Sequence, residues 1–188
     1  MTGILGGVFD PPHNGHVALA KAAVDRFGLD ALVVLVAAQP GHKHVLTEPW
    51  ARLRLADAAF PEYQVELDHH PHTVDALEGE RFRDAIFIVG ADEFRDFLTW
   101  KDPDGVLEKV RLAVATRPGI PPEQLKVVHE RLSDPGRVTF FDIPPVQVYS
   151  AELRRRIAAG RPIDDSVPPD VARLISELGL YRSSVPRG

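Results

Sequence analysis

Short runs of apolar, largely β-branched residues punctuate the chain at GILGGVF (3–9), ALVVLVA (31–37), YQVEL (63–67), AIFIVG (85–90), RLAVAT (111–116) and RVTFFDI (137–143). Between them the apolar positions recur at helical spacing, over Val17 to Phe27, Trp50 to Phe60, Glu93 to Phe97, Glu123 to Leu132, Ala151 to Ala159 and Pro169 to Leu178. Strands alternating with helices predict βαβ units: an α/β, Rossmann-like fold with a mostly parallel sheet and helices on both faces. The runs at 31–37 and 85–89 are almost wholly apolar, as strands buried on both sides should be. Ligands in such folds bind beyond the carboxyl ends of the strands, where the strand order reverses.

The first strand-to-helix turn is the most unusual stretch. GGVFDPPHNGH, residues 6–16, packs glycines, prolines, an aspartate and two histidines into eleven positions. Ile4 to Phe9 reads as the strand and Gly15 onward as the helix. Gly6 and Gly7 let backbone approach a ligand with no Cβ in the way. The helix start offers N–H groups and a positive dipole end to an anion. His13 and His16, at i and i+3, share one face of the first turn and can both donate to phosphate oxygens. Taken alone, an H-x-x-H pair more often caps and packs. Its place between strand and helix, beside glycines and an Asp-Pro-Pro turn, favours a phosphate site. No Gly-Lys-Ser/Thr follows, so this is not a Walker loop, nor is it a G-x-G-x-x-G fingerprint.

Composition narrows the classes. The 188 residues suffice for one domain, expected over 1–182, with a polar tail at 183–188 expected to be disordered. A net charge of −5 argues against bulk nucleic-acid binding. With no cysteine there is neither disulfide nor thiolate metal site. No basic leader or membrane-length apolar run is seen, so a cytoplasmic protein is the expectation. The sequence leaves a homo-oligomer open.

GGVFDPPHNGH closely resembles the G-x-F-D-P-x-H-x-G-H signature of the nucleotidyltransferases, specifically the bacterial nicotinate-nucleotide adenylyltransferases. GHKH (41–44) is similar to that family's P-P-H-K loop, and PHTVDAL (71–77) to its S-Y-T-x-D-T-L. FIVGADEFRDFLTWKDPDGVLEKVRLAVATRPG resembles its long G-A-D block, and the stretch from Val148 to Tyr181 its I-S-S-T-x-I-R helix and V-P-x-x-V…G-L-Y ending. The resemblance implies attack by a mononucleotide phosphate on the α-phosphorus of ATP, with loss of pyrophosphate. The partners implied are ATP and nicotinate mononucleotide, with no nucleic acid and no membrane. Mg²⁺ is expected with ATP, held by phosphates and water rather than by a protein metal site.

The same resemblance assigns roles. His13, His16, Lys43 and Arg154 would be catalytic, meeting the reacting and leaving phosphates. Gly6, Gly7, Phe9, Gly90, Asp92 and Ser150 would bind ATP, with Asp92 accepting from the adenosine ribose. A lone Gly-x-Asp would more often be a helix cap. Asp10, Thr73, Asp75, Trp100, Lys101 and Arg117 would bind the mononucleotide, with Trp100 placed to stack on the pyridine ring.

Two departures stand out. The I-S-S-T-x-I-R motif reads Val148-Tyr149-Ser150-Ala151-Glu152-Leu153-Arg154, so a serine and the threonine are lost, and the S-Y-T loop reads Pro71-His72-Thr73. They keep two alternatives in view: a related adenylyltransferase or cytidylyltransferase with another acceptor, and a nucleotide-binding regulator without turnover. Intact His13, His16, Lys43 and Arg154 speak against the second. The histidines at 42, 44, 69, 70 and 72 invite a metal reading, but adjacency in sequence does not supply convergence in space.

Overall fold

The computed structural model describes residues 1–41, 45–116 and 121–182. In chain order the elements are β1 (Thr2–Gly7), α1 (Asn14–Phe27), β2 (Ala31–Ala37), α2 (Pro49–Ala59), β3 (Gln64–Asp68), α3 (Thr73–Ala76), β4 (Ile86–Gly90) and α4 (Ala91–Arg95). Then follow α5 (Pro103–Lys109), β5 (Arg111–Thr116), α6 (Pro122–His129), β6 (Val138–Asp142), α7 (Ser150–Ala158) and α8 (Pro169–Glu177). The strands form one sheet in the order β3-β2-β1-β4-β5-β6, and every pairing is parallel.

Strand residues alternate between two cores, as the period of two requires. Leu5, Val34, Val36, Ile88 and Ala113 face α1, α2, α7 and α8, where Leu19, Leu55, Leu153 and Leu174 cover them. Ile4, Val33, Phe87, Val89 and Val114 face the opposite layer, built from α3 to α6 with Val74, Phe94, Leu107 and Leu125. Both faces are therefore apolar, which accounts for strands that read as unbroken hydrophobic runs. The order reverses at β1, whose neighbours are β2 and β4. The crevice where α/β sheets hold ligands thus lies between the β1–α1 turn and the β4–α4 turn.

Some boundaries differ from expectation. β1 ends at Gly7, because Phe9 takes a left-handed backbone (φ 52°) that no strand continues through. The α5 helix was not foreseen, since Asp102-Pro103-Asp104-Gly105 carries turn chemistry. Here that chemistry starts a helix: the Asp102 carboxylate accepts from the Gly105 N–H at 3.0 Å and Pro103 occupies the first turn. The segment at Thr73 and Asp75, expected as a loop, is the short helix α3.

Candidate active site

The β1–α1 turn is built from inside. A Cβ added to Gly6 would come within 2.9 Å of the Phe87 ring, and one on Gly7 within 2.7 Å of Phe9. The glycines thus make room for two aromatic rings of the protein, a different reason from the ligand approach expected of them. Phe9, expected among the ATP contacts, is only 2% exposed. Its ring meets Phe60 and, edge to face at 5.1 Å between centroids, His16. Phe9 therefore packs behind the His16 ring.

His13 is the N-cap of α1, with extended backbone, and Asn14 is the first helical residue. The His13 carbonyl accepts from the His16 and Val17 N–H groups. The His13 N–H in turn donates to Nδ1 of His16 at 3.2 Å. That bond fixes the tautomer: with Nδ1 accepting, a neutral His16 ring carries its proton on Nε2. The two imidazoles stack at 3.7 Å between centroids, so the pair forms one donor surface at the helix start.

Asp10 is buried, at 4% exposure, and its carboxylate oxygens meet other parts of the chain. Oδ1 accepts from the Tyr181 hydroxyl at 2.7 Å and Oδ2 from the Leu46 N–H at 3.0 Å. Asp10, expected among the mononucleotide contacts, joins the turn to the segment after α8 and to the loop before α2. Beneath it lies Arg52, 1% exposed. The guanidinium donates to the carbonyls of Thr47, Val8, Ala37 and Ala38. Burial pulls the Arg52 pKa down and the Asp10 charge opposes this, yet an arginine remains charged. Removing it would strand those carbonyls, at about 1–3 kcal/mol for each one left buried and unpaired. Arg52 stitches together the loops after β1 and β2 and the start of α2.

The α7 helix closes the site from the other side. Ser150, its first residue, donates from Oγ to the Pro11 carbonyl at 2.9 Å. One turn on, Arg154 donates through Nη1 to the Asp10 carbonyl at 2.7 Å. Ser150 and Arg154 are thus brought against the histidine turn from a distance of about 140 residues in sequence. Gly90 is the N-cap of α4 and Asp92 lies inside its first turn, so Asp92 is not the cap.

On the far side of the crevice, Asp75 receives both bonds from Lys101 Nζ, at 3.0 and 3.1 Å. Trp100 sits half-buried, its ring edge-on to Phe87 and Phe97. Thr73 opens α3, with His72 as its N-cap. The Lys101–Asp75 pair thus ties the start of α3, where Thr73 lies, to the segment that carries Trp100. Past Ala91 a groove of about 770 Å³ runs between α6 and the ends of β5 and β6, walled by Thr116, Leu125, His129, Phe140 and Ile143. Lys43 and Arg117, with His42 and His44, lie outside the described residues, as do residues 183–188.

A family model described as cytidylyltransferase-like matches residues 4–157. A relative from Clostridium tetani, named probable nicotinate-nucleotide adenylyltransferase, is 34% identical and covers 95% of this chain and 98% of its own. Relatives of the same name from Rubrobacter xylanophilus and Thermus thermophilus are each 35% identical, covering 98% and 96% of this chain and 94% and 98% of theirs. The chain belongs to the nicotinate-nucleotide adenylyltransferase family. It is accordingly an enzyme of the nucleotidyltransferase class. The fold of this adenylyltransferase is also that of a solved Plasmodium falciparum nicotinic acid mononucleotide adenylyltransferase complexed with NaAD. That match has a TM-score of 0.74 at 18% identity, over 96% of each chain.

Sequence reading of this family member missed Arg52 and Tyr181. Arg52 did carry a signal: it occupies the apolar face of α2 at the spacing of Leu55, Ala56 and Ala59, all buried. An arginine on that stripe must find several acceptors. Tyr181 was noted only as the end of the G-L-Y motif, and its role stayed hidden because its partner is 171 residues away. His70 of the histidine cluster pairs with Asp68 at 2.7 Å on the surface. Among the described residues no group of three or more His, Asp or Glu side chains is gathered that could hold a metal ion. Among them, too, no helix is long and apolar enough to cross a membrane.

Proposed function

We propose that this enzyme transfers the AMP moiety of ATP to nicotinate mononucleotide, giving nicotinate adenine dinucleotide and pyrophosphate. A phosphate oxygen of the mononucleotide attacks the α-phosphorus of ATP. The new P–O bond forms as the bond from Pα to the bridging oxygen of the β-phosphate breaks, and pyrophosphate carries off that electron pair. The substrate phosphate is itself the nucleophile, so the protein need only position the reactants and stabilise spreading negative charge. The observation that carries this reading is the clasp of α7 on the histidine turn. Ser150 and Arg154 bond the Pro11 and Asp10 carbonyls, in the same turn that leads into the stacked imidazoles of His13 and His16.

In this reading His13 and His16 donate to the phosphates around the reacting phosphorus. Arg154 meets the leaving pyrophosphate, the role also expected of Lys43 from the sequence, and Ser150 seats α7 so that Arg154 reaches it. Gly90 and Asp92 receive the ribose of ATP, and the apolar groove past Ala91 takes the adenine ring. The patch of Thr73, Asp75, Trp100 and Lys101 receives the pyridine half, and Arg117 is expected from the sequence to serve the same mononucleotide. Mg²⁺, arriving with ATP, would be held by phosphate oxygens and water, where it neutralises charge on the triphosphate. The donor set fits that mode, because Asp10, the acid nearest the histidines in sequence, already accepts from Tyr181 and Leu46.

The deciding assay is pyrophosphate release from ATP and Mg²⁺ with nicotinate mononucleotide, run beside pantetheine phosphate and other phosphate acceptors. Release with the pyridine mononucleotide above all others is the expected result. Release only with another acceptor, or ATP binding without release, would overturn the reading.

A further inference from the structure

Asp10 is approached by two segments whose backbones are both unusual. Phe9, just before it, is a bulky residue held at φ 52°. Tyr181, whose hydroxyl reaches it, sits at φ 62°. A large side chain in the left-handed region persists only where its surroundings over-determine it. After α8 the chain reverses at Gly179 (φ 63°), and the Leu180 N–H bonds back to the Ile175 carbonyl. This turn directs the Tyr181 ring inward, against the core shared by α1, α2 and α8. Burial and the Asp10 charge raise the phenol's pKa, so it stays a donor.

The carboxylate that receives this donor is a junction. Its Oδ2 accepts from the Leu46 N–H, Arg154 Nη1 lies 3.9 Å from the same oxygen, and its own main-chain carbonyl accepts from Arg154 at 2.7 Å. Three segments therefore converge on one side chain: the end of the chain, the loop entering α2, and α7. Leu46 lies three residues past Lys43, and Asp10 three before His13. We propose that Tyr181, through Asp10, is a positioning residue that sets the histidine turn, the loop entering α2 and Arg154 in register with one another. Tyr181 itself touches no substrate. The inference rests on the reaction proposed above for its kinetic readout.

Tyr181→Phe tests it, because it removes one oxygen and keeps the ring that packs on the core. A misplaced catalytic group costs turnover more than ground-state binding, so kcat should fall about 10-fold or more while KM for ATP changes far less. The thermal midpoint is measured on the same samples. Asp10→Asn keeps the side-chain volume and, if Tyr181 acts through Asp10, the double variant should be no slower than Asp10→Asn alone. In the ligand-free chain, the Leu46 amide should exchange faster with solvent in Tyr181→Phe than in the wild type. Unchanged kcat in a folded Tyr181→Phe, fully multiplicative losses in the double variant, or unaltered Leu46 exchange would each overturn the proposal. Should Tyr181→Phe fail to fold, an unaltered kcat in Asp10→Asn overturns it equally. If the wild type releases no pyrophosphate with nicotinate mononucleotide, the reaction reading fails, and Leu46 exchange still decides the latch.

Discussion

The rings of His13 and His16 lie 3.7 Å apart between centroids and 24° from parallel, with a third ring, Phe9, set edge-on against His16. Backbone hydrogen bonding at the helix start holds this stack: the His13 N–H occupies Nδ1 of His16, so the proton of a neutral His16 ring is carried on Nε2. A donor fixed before substrate arrives needs no reorganisation as charge develops.

His16→Ala should therefore lower kcat far more than it weakens ATP binding, by about 10²–10³-fold, the scale of losing an oxyanion donor. His16→Asn, which can still accept from the His13 N–H, should keep the helix start folded without restoring full turnover. Steady-state kinetics with parallel ATP titrations read both effects. Wild-type turnover in a folded alanine variant would remove His16 from the chemistry.

Arg154 uses one arm of its guanidinium on the Asp10 carbonyl. The planar fork lets it hold the turn and still face a phosphate, which a single ammonium cannot do in the same geometry. Arg154→Ala should raise KM for ATP and slow turnover, and Arg154→Lys should recover only part of the loss. Full activity in the lysine variant would mean that charge alone matters there.

The alternating runs made the fold legible: the β2 and β5 runs coincide with the strands residue for residue, and the helix at 169–178 is nearly matched. A sheet buried on both faces leaves its strands few polar positions, so they stand out. The histidine pair was legible for a related reason, since core packing alone calls for neither two histidines nor an Asp-Pro-Pro turn between a strand and a helix. What stayed hidden depends on contacts distant in sequence. Phe9 and Asp10 belong to a ligand-binding motif by sequence, yet they face inward, and only the fold shows Tyr181 and Leu46 meeting that carboxylate. Arg52 was readable in principle, as a cation on an apolar stripe.

The phenol of Tyr181 makes alkaline stability a test of that burial. An unfolded tyrosine ionises near pH 10, whereas in the folded chain burial first, and the Asp10 charge second, push its pKa well above that. A folded-state pKa raised in this way contributes stability that is fully present below about pH 10 and is lost as pH rises further. The loss can reach about 1.4 kcal/mol per pH unit. Tyr181→Phe has no such proton to lose. Urea unfolding between pH 8 and pH 11.5 should show the wild type's stability falling more steeply than the variant's above pH 10. Parallel curves would show that Tyr181 ionises as freely folded as unfolded.

In the proposed reaction, the acceptor preference would be set at the patch of Thr73, Asp75, Trp100 and Lys101. Nicotinate carries a carboxylate where nicotinamide carries a neutral amide, so discrimination requires donors aimed at that group. Lys101 already gives its charge to Asp75 at 3.0 Å, which leaves it poorly placed to act alone. The first N–H groups of α3, those of Thr73 and Val74, precede the helix's own hydrogen-bond ladder, which begins with Asp75 donating to His72. Backbone donors of this kind would need no particular side chain at His72, where the family's motif has tyrosine. An amide presented to the same donors would turn an NH₂ toward N–H groups and leave donors unsatisfied. The expected result is a kcat/KM preference for the acid mononucleotide of at least about 10-fold, equivalent to about 1.4 kcal/mol. Both mononucleotides measured at the same ATP and Mg²⁺ concentrations decide it. Equal efficiency, or preference for the amide, would mean that Pro71-His72-Thr73 has reshaped the pocket, and the acceptor would change while the phosphate chemistry at His13 and His16 stood.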